Sequence, residues 1–307
     1  MGDYQSDGSY VHGGRMSMKG RIIKGIGGFY YVDTDDGLFT CKAKGLFRHD
    51  NMKPLVGDHV EIDIVSDDEK IGNVSDILER SNELIRPNVS NVDQALIIFA
   101  LTSPEPNFVT LDKMILQYRA QGIPVLICFN KEDLASDDLA DTVAHDYRGC
   151  GSRIFITSAK AGEGIDDLIS ALADKTTVVA GPSGVGKSSI INCITRTDAQ
   201  KTGEISEKLA RGKHTTRHSE IIPIMKNTYI VDTPGFGSFE LFDIRPEELA
   251  DHYEEFTGYL NCRFSPCSHT HEPDCGVKCA VENGEISRRR YDDYVYIYNE
   301  LARSRRY

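Results

Sequence analysis

The stretch Gly181-Pro182-Ser183-Gly184-Val185-Gly186-Lys187-Ser188 sets the fold class of this 307-residue chain. It follows an apolar run at 176–180 and opens a segment of helical spacing at 187–195. A strand, a glycine-rich turn and a helix in that order make a phosphate cradle. The glycines let backbone N–H groups turn inward, and the helix N-terminus adds partial positive charge. Lys187 is expected to bridge the β- and γ-phosphates and act as the catalytic cation, with Ser188 on magnesium and Ser189 beside it.

A phosphate cradle names a nucleotide but not its base. Upstream, Asn130-Lys131-Glu132-Asp133 follows the apolar run 124–129. A carboxylate at Asp133 accepts from both N1–H and the 2-amino group of guanine. Adenine offers an acceptor and a C–H there, which would leave a buried carboxylate unpaired at a cost of about 1–3 kcal/mol. Asn130 is expected to brace the loop, and Lys131 to lay its stem along the purine. Ser158-Ala159-Lys160, after 153–157, supplies small residues whose backbone N–H groups reach guanine O6. Downstream, Asp232-Thr-Pro-Gly235 ends the run 228–232 and fits an acidic residue of the magnesium shell followed by a glycine that senses the γ-phosphate. Between them, Gly212-Lys-His-Thr-Thr-Arg217 fits a switch segment in which Thr215 or Thr216 completes the magnesium coordination. Phe236 stands where many G proteins carry a water-orienting glutamine, so slow intrinsic turnover is expected, with His214 as the second catalytic candidate.

The order of these motifs is unusual. Conventional G domains run from the phosphate cradle through both switches to the base-recognition loops, whereas here Asn130 and Ser158 precede Gly181. The strand and helix inventory is complete if the chain is cut after the second switch and the old ends are joined near Asp174. A doubly wound sheet tolerates this, because termini lie close together and the core is unchanged. Helices are expected at 111–121, 139–148, 165–173 and 187–195, between strands at 95–101, 124–129, 153–157, 176–180, 221–225 and 228–232. The second switch then leads directly into the C-terminal region.

Outside this domain, short strand-like runs at 21–24, 29–33, 38–43, 60–65 and 73–78 are punctuated by Gly27-Gly28, Asp35-Asp36-Gly37 and Gly57-Asp58. Such spacing suggests a small closed barrel, OB-like in preference to SH3-like. Residues 1–18 are rich in Gly, Ser and Asp and are expected to be a disordered leader, with no signal peptide. The C-terminal region reads Cys262-x4-Cys267-x-His269-x5-Cys275 between a helix at 246–257 and another from about 286. Three thiolates and an imidazole make a closed tetrahedral set suited to structural zinc, with His271 and Cys279 as spare ligands. The expected organisation is a leader (1–18), an OB barrel (19–82), a circularly permuted α/β P-loop GTPase domain (83–242) and a helical zinc-binding domain (243–307).

Composition sets limits. Apolar residues at 40% and charged residues at 27% are those of an ordinary globular chain, and the longest apolar run, 95–101, is far too short to span a bilayer. Clustered cysteines without a secretory signal point to a reducing cytoplasm. A net charge of −12 opposes indiscriminate binding to nucleic acid, so any such partner needs a local basic patch. Arg288, Arg289, Arg290, Arg303, Arg305 and Arg306 offer one, against the alternative of a solvated helix face.

Taken together, the barrel, the permuted motifs and the Cys-x4-Cys-x-His-x5-Cys cluster resemble the ribosome-small-subunit-dependent GTPase A family. The stretches that carry the likeness are Arg86-Pro-Asn-Val-Ser-Asn-Val-Asp-Gln-Ala95, Gly181–Ser188, His214-Thr-Thr216 and His269-x-x-Glu-Pro273. The resemblance implies a monomeric bacterial factor of late 30S maturation that contacts 16S rRNA and hydrolyses GTP there. The rival readings are an rRNA-binding module that uses hydrolysis only for release, and a permuted GTPase of the large subunit.

Overall fold

The computed structural model describes residues 10–12, 15–43, 53–85, 87–202, 220–225, 227–232 and 244–304. The strands are β1 (Tyr10–His12), β2 (Arg15–Ile26), β3 (Phe29–Thr34), β4 (Gly37–Ala43), β5 (His59–Ser66), β6 (Ile71–Ile77), β7 (Glu83–Leu84), β8 (Val89–Ser90), β9 (Gln94–Ala100), β10 (Val125–Asn130), β11 (Arg153–Ile156), β12 (Thr176–Ala180), β13 (Glu220–Met225) and β14 (Thr228–Asp232). The helices are α1 (Phe108–Arg119), α2 (Asp137–Asp146), α3 (Ile165–Leu172), α4 (Lys187–Thr202), α5 (Gly276–Glu282) and α6 (Arg288–Ser304). The chain divides into two compact units, one holding 1–93, 172–178 and 207–234, the other 94–171, 179–206 and 235–307.

The first unit is built on a closed barrel. β2 pairs antiparallel with β3, β3 with β4, β4 parallel with β6, β6 antiparallel with β5, and β5 closes back onto β2. A five-stranded closure with one parallel pair is the OB Greek key, which decides between the two barrels that alternation left open. Side chains alternate along each strand, and the inward set (Ile22, Val32, Phe39, Cys41, Val60, Ile62 and Val74 among them) is fully buried. Burial pushes the Cys41 thiol up to about 11, as expected of an inert core residue. The hairpin β13–β14 joins the same unit: Glu220 pairs with Lys24 in register, and its carboxylate accepts from Lys24 Nζ at 3.0 Å.

Two expectations fail here. Residues 10–12 of the supposed disordered leader form β1, paired antiparallel with Arg15–Ser17, and β2 begins six residues before the run 21–24 that announced it. A long strand that belongs to both a hairpin and a barrel needs no apolar alternation along its protruding end, so its sequence carries no strand signal there.

In the second unit, β9 and β11 flank β10, all parallel. Every residue of β9 is buried, as expected of a parallel strand covered on both faces. α1 starts at Phe108, three residues earlier than apolar spacing placed it, and is capped by Asn107, whose side chain accepts from Thr110 N at 3.0 Å. The helix expected at 246–257 is instead two 3-10 segments, Pro246–His252 and Glu254–Tyr259. They are split by Tyr253, which is extended (φ −102°, ψ 91°) so that its buried ring stacks on Phe256 and meets Tyr294 edge-on, both at 5.1 Å between centroids. Packing overrides propensity at that residue. α5 was not anticipated; Cys275 is its N-cap. Among the described residues no helix is long and apolar enough to cross a membrane.

Candidate nucleotide site and metal centre

The glycine-rich turn after β12 has backbone that only glycine accommodates. Gly181 has φ +143°, and a Cβ there would fall 2.1 Å from Ile98 O on β9. Gly186 has φ +99°, and its Cβ would fall 2.3 Å from Asn130 Nδ2. The turn is tied to the Asn-Lys-x-Asp loop by side chains. Asn130, 2% exposed, donates from Nδ2 to Val185 O at 2.9 Å and accepts at Oδ1 from Ala159 N at 3.1 Å and Thr157 Oγ1 at 3.3 Å. One amide therefore joins three loops. Lys131, left-handed at φ +67°, donates from Nζ to Gly184 O at 2.7 Å and to Ser103 O. Lys187 Nζ donates to Gly181 O and Pro182 O, both at 2.7 Å, so its ammonium sits inside the turn.

Asp133 is set by the Ser-Ala-Lys loop. Ser158 Oγ donates to Asp133 Oδ1 at 2.8 Å, and Lys160 Nζ lies 3.5 Å from Oδ2. The serine hydroxyl first, then the lysine, hold this carboxyl below the usual aspartate range, so it is ionised at neutral pH. Asn130, Lys131, Asp133, Ala159, Lys160, Gly186 and Ser189 line a cavity of about 200 Å³ together with Leu134. Of the residues expected from sequence, the structure thus brings together both base-recognition loops and the phosphate cradle, with Ser183, Gly184 and Ser188 exposed on it. Sequence reasoning missed Thr157 and the Ser103 carbonyl, whose roles leave no motif. Asp232 closes β14. His214, Thr215, Thr216, Gly235 and Phe236 lie outside the described residues.

In the C-terminal part of the second unit, Cys262, Cys267, His269 and Cys275 bring their ligand atoms within 4.8 Å of one another. Tetrahedral zinc with bonds of about 2.3 Å to sulfur and 2.0–2.1 Å to nitrogen requires S···S edges near 3.8 Å and S···N edges near 3.6 Å. The Cys262–Cys275 Sγ separation is 3.7 Å, and His269 Nδ1 lies 3.4 Å and 3.3 Å from those two sulfurs. The donor set fits structural zinc. Burial, with the neighbouring thiols adding to it, pushes Cys267 up to about 12, a cost that a bound divalent cation inverts. Glu272 accepts from Ser268 N at 2.9 Å, from Ser268 Oγ at 2.7 Å and from Thr270 N at 3.2 Å, and Tyr291 and Tyr294 hydroxyls donate to the carbonyls of His269 and Ser268. His271 is exposed and Cys279 stands outside the cluster, so neither joins the donor set.

The basic patch expected at the C-terminus is partly dismantled. Arg290 is 2% exposed, its Nε donating to Glu255 Oε1 at 2.7 Å and its Nη1 paired with Asp112 Oδ1. The guanidinium lies between the rings of Tyr253 and Tyr147, 4.6 and 5.0 Å from their centroids. Arg289 pairs with Asp146 at 2.7 Å. These two arginines hold the C-terminal helix to α1, α2 and a 3-10 segment, and are spent on structure.

A phosphate cradle, a guanine-type base loop braced on it and motifs in permuted order define a circularly permuted P-loop GTPase. The chain belongs to the RsgA GTPase family: that family's model matches residues 77–242, and the RsgA N-terminal domain model matches 19–72. It is 52% identical to the small ribosomal subunit biogenesis GTPase RsgA of Agathobacter rectalis over 94% of this chain and all of the relative. The protein of the same name from Caldanaerobacter subterraneus is 48% identical over 92% and 96%. Among solved structures, YjeQ from Thermotoga maritima superposes with a TM-score of 0.79 at 35% identity, covering 93% of this chain and 99% of that one. YloQ, a circularly permuted GTPase, gives 0.75 at 38%, covering 93% and 95%. The chain is accordingly a GTP-hydrolysing enzyme that uses guanine nucleotide and magnesium.

Proposed function

We propose that this GTPase acts in late biogenesis of the small ribosomal subunit, binding the 30S particle and its 16S rRNA, with hydrolysis accelerated by that partner. The reading is supported by full-length likeness to relatives that carry this role in their names. The observation that carries the chemistry is the ionised Asp133 held by Ser158 beside the Asn130 brace. Two fixed acceptor oxygens match the two guanine donors, and Ala159 closes the O6 side. Gly181, Pro182, Ser183, Gly184, Val185 and Gly186 wrap the phosphates, with Ser188 and Ser189 at the helix start. Lys187 exchanges its two carbonyl partners for phosphate oxygens, a replacement that strengthens as charge builds during in-line attack by water. Ser188, Asp232 and Thr215 or Thr216 would hold magnesium, which would supply charge neutralisation for the transferred phosphoryl group. Gly235 senses the γ-phosphate, and His214 orients the attacking water when the partner is bound. The zinc is structural, one per chain, and the protein works in the cytoplasm as a monomer.

The test is turnover of GTP with small subunits, with large subunits and with neither, alongside subunit affinity in GDP and in a non-hydrolysable GTP analogue. Stimulation by small subunits alone, with tighter binding in the analogue state, is the expected result. Unstimulated turnover, or stimulation by large subunits, overturns it. His214→Ala should remove most stimulated turnover and leave GTP affinity unchanged. Asp133→Asn should move preference toward xanthine nucleotides, whose 2-carbonyl accepts from the new amide.

A further inference from the structure

The barrel-containing unit holds a cleft of about 690 Å³ that neither the nucleotide chemistry nor the zinc cluster uses. Its floor is Arg21 on β2, flanked in the sheet by Asp33 of β3 and His59 of β5. Arg21 is only 8% exposed. Its Nη1 donates to Thr176 Oγ1 at 2.7 Å, its Nη2 donates to Asn91 O at 3.0 Å, and its guanidinium lies over Tyr229 at 4.9 Å from the ring centroid. Its Nε–H is buried and has no acceptor among the described residues. A buried N–H without a partner is costly, so the cleft floor favours a ligand that brings an acceptor oxygen.

The walls ask for the opposite charge. Asp33, Asp35, Glu79, Asp93 and Asp174 line the cleft, against Lys19 and Arg21 as cations. His59 also lines it, and burial first, then Arg21, lower its pKa, which leaves the imidazole neutral at physiological pH. An excess of carboxylates repels phosphate and attracts ammonium or guanidinium groups. The ligand must therefore combine cations for the walls with an acceptor for the floor. An extended peptide does both: its backbone carbonyls accept, and its basic side chains reach the rim. The volume lies within the range of ordinary ligand clefts.

We propose that this cleft docks an extended, arginine- or lysine-bearing segment of a partner protein. The site is separate from the nucleotide loops and stands whether or not the small-subunit reading does.

The experiment uses the full chain and a fluorescein-labelled Arg-Gly-Arg-Gly-Arg peptide, titrated by anisotropy. Asp35→Asn with Glu79→Gln removes two exposed wall charges. Asp68→Asn with Glu69→Gln, on the exposed turn between β5 and β6, is the charge-matched control. The cleft variant should weaken binding by about tenfold or more and the control by less than about twofold, with GTP turnover unchanged in both. Spermidine, which carries cations but no acceptor, should not displace the peptide at equal charge concentration. Equal weakening in the two variants would reduce the attraction to net charge and overturn the proposal. Displacement by spermidine, or a single-stranded RNA oligonucleotide competing for the cleft, overturns it as well.

Discussion

The nucleotide loops and the C-terminal module are held together by opposite means. In the loops the work is done by backbone: Gly181 and Gly186 adopt positive φ, and Asn130, Lys131 and Lys187 spend their donors on main-chain carbonyls. In the module, among the described residues, regular structure before α5 is limited to two short 3-10 segments. There the fold rests on side chains: a cluster of three cysteines and a histidine, a stack of aromatic rings and one buried guanidinium. The first arrangement fails when a Cβ is added. The second fails when a charge or a thiolate is removed.

The largest expected effect follows from taking the metal away. Cys267→Ser, or chelation of the wild type, should cost the module on the order of 10 kcal/mol of local stability, read as loss of hydrogen-exchange protection across 244–304. GDP affinity should change little. If protection in α5 and α6 survived without metal, the contrast between the two regions would collapse.

Next comes Arg290→Met. It leaves Asp112 and Glu255 buried without their cation, so urea unfolding should show a loss of about 3–5 kcal/mol. Adding Asp112→Leu and Glu255→Leu should recover most of it, because the burden is the unpaired charge. Failure of that rescue would mean that the ring sandwich, and not the ion pair, carries the energy.

A smaller loss, confined to the other region, is expected of Gly186→Ala. Positive φ and the collision with Asn130 Nδ2 together should weaken GDP binding by about 2–4 kcal/mol, measured by calorimetry, with the melting of the module unaltered.

The smallest effect concerns pH. Burial first, then Asp112, raise Asp293 to about 7, with Arg290 and Arg289 opposing and Asp292 reinforcing. The folded chain thus binds a proton that the unfolded chain has released above its ordinary carboxyl range. Stability should fall as pH rises from about 4 to about 7, and Asp293→Asn should flatten that slope in thermal melts. A slope unchanged by the substitution would place the titration elsewhere.

The nucleotide site was legible in the sequence because its chemistry depends on residue types at the ends of strands. Gly181, Lys187, Asn130 and Asp133 are recognisable wherever such a strand stops, and the structure brings their loops together. The Cys/His cluster was legible for a related reason, since thiolate and imidazole are rare enough to announce themselves. The residues between them were not. Tyr253 breaks an expected helix because its ring has a place in the aromatic core, which no local spacing encodes. Arg290 read as part of a basic surface because a charge on a helix carries no mark of burial, and only Asp112 and Glu255, distant in sequence, make its burial tolerable.

By itself, then, the sequence determined the nucleotide-loop motifs, their permuted order and the Cys/His donor set, all matters of residue chemistry at short range. Tertiary structure alone decided the parallel β4–β6 pairing that makes the barrel an OB fold, the use of Arg290 as a buried clamp, and the gathering of five carboxylates above Arg21. Each of those depends on groups far apart along the chain, whose meeting is fixed by closure of the barrel and packing of the core and by no local preference.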